Sequence, residues 1–276
     1  VDKPMPPLKD GEQLVYFQSG GEWSFLKTPK KYQSKKGVSP VPVVIWFRGQ
    51  SSYVRDGETD CLIRPPYKAI LNRLLEQGYA VAGSELTGVH YGRASATAAS
   101  VALYRALVAG ANVDAERVGM WTPAGMGGLT MWNSIMGPLH GKVRAVVSTQ
   151  AVVSYASVIP RRKEAIRRAH GFPEDILDDV LIASVSGYDA LSQMGLRLAV
   201  GGKAFAKGLP KTLIMHGETD DNIPCGPNAV ELHELLKKHG AESTLHVFQD
   251  TGHVLHKMEE PIASMTGEFF REAFGR

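Results

Sequence analysis

The chain has 276 residues, 43% of them hydrophobic and 21% charged, with 29 glycines and a formal net charge of +3. A chain of this length buries a full core, and its composition is that of an ordinary folded domain, not of a disordered or fibrous one. So small a net charge offers no electrostatic basis for gripping nucleic acid or a membrane surface, and no apolar run approaches the ~18 residues that span a bilayer.

The basic run Lys27-Thr28-Pro29-Lys30-Lys31, followed by Lys35 and Lys36, reads as a solvated loop. No stretch has the make-up of a secretory signal, and Val1 is what removal of an N-terminal segment would leave. The expectation is a soluble protein, cytoplasmic or secreted after such removal. Cys61 and Cys225 lack metal-ligand spacing and both fall after predicted strands at the same edge of a sheet. A disulfide between them stays open beside the default of two free thiols. Neither cysteine has an adjacent base that would make it a nucleophile.

In chain order, two strands are predicted over 13–18 and 22–27, joined by the hairpin signal Ser19-Gly20-Gly21. Residues 41–47 form a continuous apolar, β-branched run, which argues for a strand covered on both faces, as in a parallel sheet. A helix over 67–77 stops at Gly78, and a strand over 79–84 follows. An Ala-rich helix is expected over 96–109, with Ser95 as its N-cap. Then come a strand over 118–121, a helix over 126–135 and a buried strand over 143–148.

From Ser154 to about Leu209 the rhythm breaks into short, charge-rich helices, read as a small lid over the carboxyl ends of the strands. Arg161, Arg162 and Lys163 give this insertion its charge, while Phe172, Tyr188 and Asp189 read as packing residues. Alternation resumes with a strand over 212–215, a helix over 229–238, a strand over 243–248 and a last helix over 262–274. Repeated βα units specify one α/β domain: a mostly parallel central sheet with helices on both faces.

Ligands in such sheets sit beyond the carboxyl ends of the strands, so the residues just after each strand carry the chemistry. Val118 to Thr130 reads as strand, sharp turn and helix start, the shape of a nucleophile elbow. The usual pattern there is Gly-x-Ser-x-Gly; here Gly125 stands where the serine belongs. After the strand over 212–215 comes His216-Gly217-Glu218-Thr219-Asp220-Asp221-Asn222-Ile223-Pro224, and after the strand over 243–248 comes Gln249-Asp250-Thr251-Gly252-His253. The order is nucleophile, acid, base.

On these segments the chain resembles the α/β-hydrolases, in their compact esterase, dienelactone-hydrolase and prolyl-oligopeptidase-like branches, from about Gln13 onward. The resemblance implies Asp220 as the acid and His253 as the base of a catalytic triad, with Asp221 and His256 as runners-up. It implies an oxyanion hole from the backbone N–H groups of Met126 and Gln50, the latter in Arg48-Gly49-Gln50-Ser51, where the family often has His-Gly. Such a histidine takes a proton from a hydroxyl, and the carboxylate behind it fixes its tautomer. No metal or cofactor is implied, and the expected ligand is a small ester-like molecule.

Gly125 departs from the pattern at the one atom that would attack. Glycine enters the strained elbow conformation freely, so the fold is expected to survive the loss. Thr122 lies too far back along the strand to replace it, Ser51 and Ser52 read as turn formers, and Ser84 and Glu85 are expected near the pocket. Three functions stay open: a carboxylic ester hydrolase working through an acyl-enzyme, with its serine replaced and so inactive; a non-catalytic relative that binds a small ligand or partner; and an enzyme using the His/Asp pair as general base.

Overall fold

The computed structural model describes residues 3–253 and 258–275. Its centre is an eight-stranded sheet whose spatial order runs β1 (Leu14–Ser19), β2 (Glu22–Lys27), β6 (Ala80–Ser84), β3 (Val41–Trp46), β7 (Val113–Thr122), β8 (Ala145–Thr149), β9 (Lys211–Gly217), β10 (Ser243–Phe248). From β6 to β10 every pairing is parallel; β1 and β2 form the predicted hairpin, and β2 joins β6 antiparallel. A two-residue ribbon, β4 (Val54–Arg55) with β5 (Glu58–Thr59), lies in the connection after β3.

Burial follows the period of a strand. In β3, Val43 and Ile45 enter one apolar cluster while Val44 and Trp46 enter the other, on the opposite face. The same split divides Met120 from Trp121 and Val146 from Val147. A strand buried on both faces reads as an unbroken apolar run, which is why these segments lack alternation.

Helices α1 (Pro65–Glu76) and α8 (Glu259–Ala273) cover one face, supplying Leu71, Leu74, Ile262 and Phe270 to its cluster. The other face is covered by α2 (Ala94–Gly110) and α3 (Gly127–Met136), with Leu103, Leu107, Leu129 and Ile135 in the core. Three helices, α4 (Tyr155–His170), α5 (Asp178–Val185) and α6 (Ala190–Ala206), separate β8 from β9, and α7 (Glu231–Lys238) leads to β10.

Several expected boundaries move. The helix predicted from residue 96 begins at Ala94 and has Arg93, not Ser95, at its N-cap. The Arg93 carbonyl accepts the N–H groups of Ala96 (3.0 Å) and Thr97 (3.3 Å), while its guanidinium donates to Thr87 O (2.8 Å) and Ala169 O (2.9 Å). The segment expected to hold short helices contains one of 16 residues, α4, beside the shorter α5 and an α6 made of two helical pieces joined by a kink at Gly202. Pro160 lies inside α4 without ending it, whereas Gly202, at φ +52° and ψ −140°, breaks α6 into two helical pieces. Cys61 and Cys225 are free thiols; Cys61 is fully buried, and burial pushes its pKa well up.

Candidate active site

β7 ends at Thr122, and the chain turns through Pro123, Ala124, Gly125 and Met126 into α3. Gly125 has φ +71°, a left-handed conformation that costs a residue with a side chain but not glycine. A Cβ built on Gly125 meets no atom within 4 Å. The two following glycines differ sharply. A Cβ on Gly127 would come within 2.8 Å of Phe47 O and Arg48 O, and one on Gly128 within 2.7 Å of Val152 O. Glycine is therefore sterically required at 127 and 128, where α3 presses on its neighbours, whereas at 125 there is room for a side chain.

Asp220 and His253, far apart in sequence, meet beside this turn: His253 Nδ1 lies 2.8 Å from Asp220 Oδ2. The buried carboxylate is held from every side. Its Oδ1 accepts the N–H groups of Asn222 and Ile223, both at 2.9 Å, and its Oδ2 also accepts Gln150 Nε2 at 2.9 Å. Burial would raise the Asp220 carboxyl, but the hydrogen bond and charge of His253 and the Ile223 N–H outweigh it and hold the group below its ordinary value. His216 lies behind, its Nε2 3.6 Å from Asp220 Oδ2 and 2.8 Å from Ile223 O. The Ile223 carbonyl only accepts, so Nε2 of His216 carries the proton; burial lowers its pKa.

Gly217 permits this meeting. Its Cβ would stand 2.6 Å from Gly252 O and closer still to Thr251 O, so any side chain there would push away the loop that bears His253.

Gln150 ties the parts together. Its backbone N–H donates to Met215 O in β9, and its carbonyl accepts the Gly125 N–H, each at 2.9 Å. Its side-chain amide reaches Gly252 O (3.0 Å) as well as Asp220. Sequence reasoning passed over Gln150, although its place immediately after β8 was the available signal. Asp221, the runner-up acid, is exposed and its side chain makes no contact with His253 among the described residues. His256, the runner-up base, lies outside the described residues.

At the end of β3, Arg48 is buried and turned away from the cleft. Its guanidinium pairs with Glu85 (3.3 Å) and donates to the carbonyls of Glu85 (3.2 Å), Gly88, Gln50 (3.4 Å) and Ser52. It thus holds the loop carrying Gln50 from behind. Glu85 and the buried Ser84, expected near the pocket, do not line the cleft; Glu85 is spent on Arg48. Thr122 Oγ1 donates to Phe47 O (3.3 Å).

A cleft of about 740 Å³ opens over these residues at the carboxyl ends of the strands. Gly125, Met126, Gln50, Gln150 and His253 line its floor, and Tyr67, Tyr91, Val152 and Val158 its sides. Among the described residues the N–H groups of Met126 and Gln50 meet no acceptor, so two donors are free beside Gly125. Such a cleft, with a hydrogen-bonded His–Asp pair beside it and the two residues bearing these amides in its lining, has groups of the kind that move a proton or accept an anion.

The prolyl oligopeptidase family matches residues 74–275. A comparison with curated protein sequences finds no match. Among solved structures, dipeptidyl peptidase 4 of Porphyromonas gingivalis is similar with a TM-score of 0.65 at 17% identity, over 95% of this chain and 36% of that one. FphF, a fluorophosphonate-binding serine hydrolase of Staphylococcus aureus, gives 0.68 at 14% identity over 95% and 99%. The S-formylglutathione hydrolase FrmB of the same organism gives 0.63 at 14% over 95% and 99%. The chain thus spans about a third of the peptidase and nearly the full length of the two hydrolases, and the shared architecture is the α/β-hydrolase fold.

Proposed function

Since the chain belongs to the prolyl oligopeptidase family, a serine hydrolase family with the α/β-hydrolase fold, we propose that its cleft is an acyl-transfer site for a carboxylic ester in which Gly125 occupies the nucleophile position. The observation that carries this reading is the open, positive-φ site at Gly125 beside a His253–Asp220 pair. In this reading a hydroxyl at 125 attacks the ester carbonyl. His253 takes its proton on Nε2, the ring nitrogen left free of Asp220, and returns it to the leaving alcohol. Asp220 fixes the imidazole and stabilises its charged form. The N–H groups of Met126 and Gln50 receive the oxyanion, where each donor is worth ~100–1000-fold in rate. Helices α4 to α6 act as a lid on the same domain, with Val158 of α4 lining the cleft.

With glycine at 125 no acyl-enzyme forms, and the chain as it stands is a binder of ester-like molecules without that turnover. The test is Gly125→Ser assayed on 4-nitrophenyl butyrate. Hydrolysis that appears with the serine and disappears on adding His253→Ala supports the reading; a folded Gly125→Ser protein with no gain refutes it. A second reading follows from the empty space beside Gly125, which admits a water that His253 would activate as general base. It requires hydrolysis by the unaltered chain that His253→Ala abolishes.

A further inference from the structure

The charges in and around the cleft are unusually one-sided. Arg64, Arg162 and His253 line it, and among the described residues no aspartate or glutamate does. A second cavity of about 460 Å³ adjoins it, sharing Gln50, Val89 and Arg162, and adds Arg93, Arg161 and Arg168 against a single carboxylate, Glu164. That carboxylate is already taken. Both its oxygens accept from Arg167 at 2.7 Å, Arg168 also reaches it, and these bonds hold its pKa down at about 2.

Arg64 is likewise matched, by Asp60 at 3.0 Å. Arg93 is spent on neutral acceptors in Thr87 and Ala169. Arg162 is different. It is half-buried in the wall between the two cavities, and its hydrogen-bond partner among the described residues is a neutral amide oxygen, Asn222 Oδ1, at 3.4 Å. Its place on α4 is one turn beyond Val158, so the two side chains share the face that looks into the cleft. A guanidinium in the cleft wall whose polar partner is a neutral amide oxygen can receive a carboxylate through paired, charge-assisted hydrogen bonds.

We propose that the cleft selects ester-like molecules bearing an anionic group, a carboxylate or an equivalent oxyanion, which seats on Arg162 while Val89, Tyr91, Val152 and Val158 take the carbon skeleton. This names the substrate class of the acyl-transfer site and rests on that reading for the chemistry, but not for the binding. A charge-assisted pair of this kind is worth about ten- to hundred-fold in affinity.

The unaltered chain is titrated calorimetrically with monomethyl glutarate and, for comparison, with uncharged dimethyl glutarate. The monoanion is expected to bind at least about ten-fold more tightly, with the preference lost in Arg162→Gln and largely kept in Arg162→Lys. Equal affinities, or a preference that survives Arg162→Gln, would overturn the proposal. In the Gly125→Ser protein, 4-nitrophenyl hemiglutarate is then expected to exceed 4-nitrophenyl pentanoate in kcat/KM by a similar factor. Equal rates on the two esters would refute anion selection and leave the acyl-transfer reading intact. Inactivity on both, with the binding preference present, would refute the elbow reading and leave the anion site standing.

Discussion

The three glycines of the turn should respond to a methyl group in different ways. At Gly125 the added Cβ meets nothing within 4 Å, so Gly125→Ala is opposed only by the positive φ of +71°. That costs about 1–2 kcal/mol, and the smaller entropy of the unfolded alanine chain returns about 0.4–1 kcal/mol. The net loss is about 1 kcal/mol. At Gly128 the Cβ would stand 2.6 Å from Ala151 Cβ and 2.7 Å from Val152 O; at Gly127 it would stand 2.7–2.8 Å from Thr122 Oγ1 and two backbone carbonyls. Backbone cannot swing aside as a side chain can, which places these two substitutions at the upper end of overpacking costs, about 3 kcal/mol each. Urea unfolding followed by tryptophan fluorescence measures the series, with the slope m checked for constancy. If Gly125→Ala proved as costly as Gly127→Ala or Gly128→Ala, the turn would not be built to hold a side chain at 125.

Three further outcomes follow from the same contacts. Gln150→Leu, made alongside Gly125→Ser, should lower kcat about ten-fold with KM little changed and shift the pH profile of kcat, because Asp220 loses a donor; an unchanged profile would remove Gln150 from any positioning role. Arg48→Met should cost about 3 kcal/mol by leaving Glu85 without its partner, with part of that recovered in the double variant with Glu85→Gln; additive losses would show that the pair is uncoupled. Burial holds the pKa values of His90 and His216 below the ordinary 6.5, so they stay neutral in the fold while the unfolded chain takes up their protons. Stability present above pH 6.5 should therefore decline as pH falls, by up to about 1.4 kcal/mol per unit for each histidine. Denaturation midpoints that stay level from pH 7.5 to 5 would contradict this.

Much of the architecture was legible because burial on both faces leaves a direct trace in residue type, as in Val43, Val44, Ile45 and Trp46. The residues just past the strand ends likewise led to Gly125 and His253, which line one cleft, and to Asp220, buried against His253. What stayed hidden depends on partners distant in the chain. Arg48 gives no sign in sequence that its charge is buried against Glu85, and Gln150 looks like any polar residue after a strand until it meets Asp220 and Gly252. Ser95 is a good cap by type, yet the helix starts one residue earlier, at Ala94, behind an Arg93 bonded to Thr87 and Ala169. In α4 the internal Pro160 mimics a helix end, while tertiary packing of Val158 and Ile166 carries the element through; Gly202 does break α6.

Covalent capture shows whether a hydroxyl at residue 125 is served by His253 and the amides of Met126 and Gln50. Gly125→Ser is treated with a fluorophosphonate and the modified peptide located by mass spectrometry. Stoichiometric labelling is expected at position 125, absent from the unaltered chain and at least about 100-fold slower when His253→Ala is added. A folded Gly125→Ser protein that stays unlabelled, or that labels equally fast without His253, would contradict it.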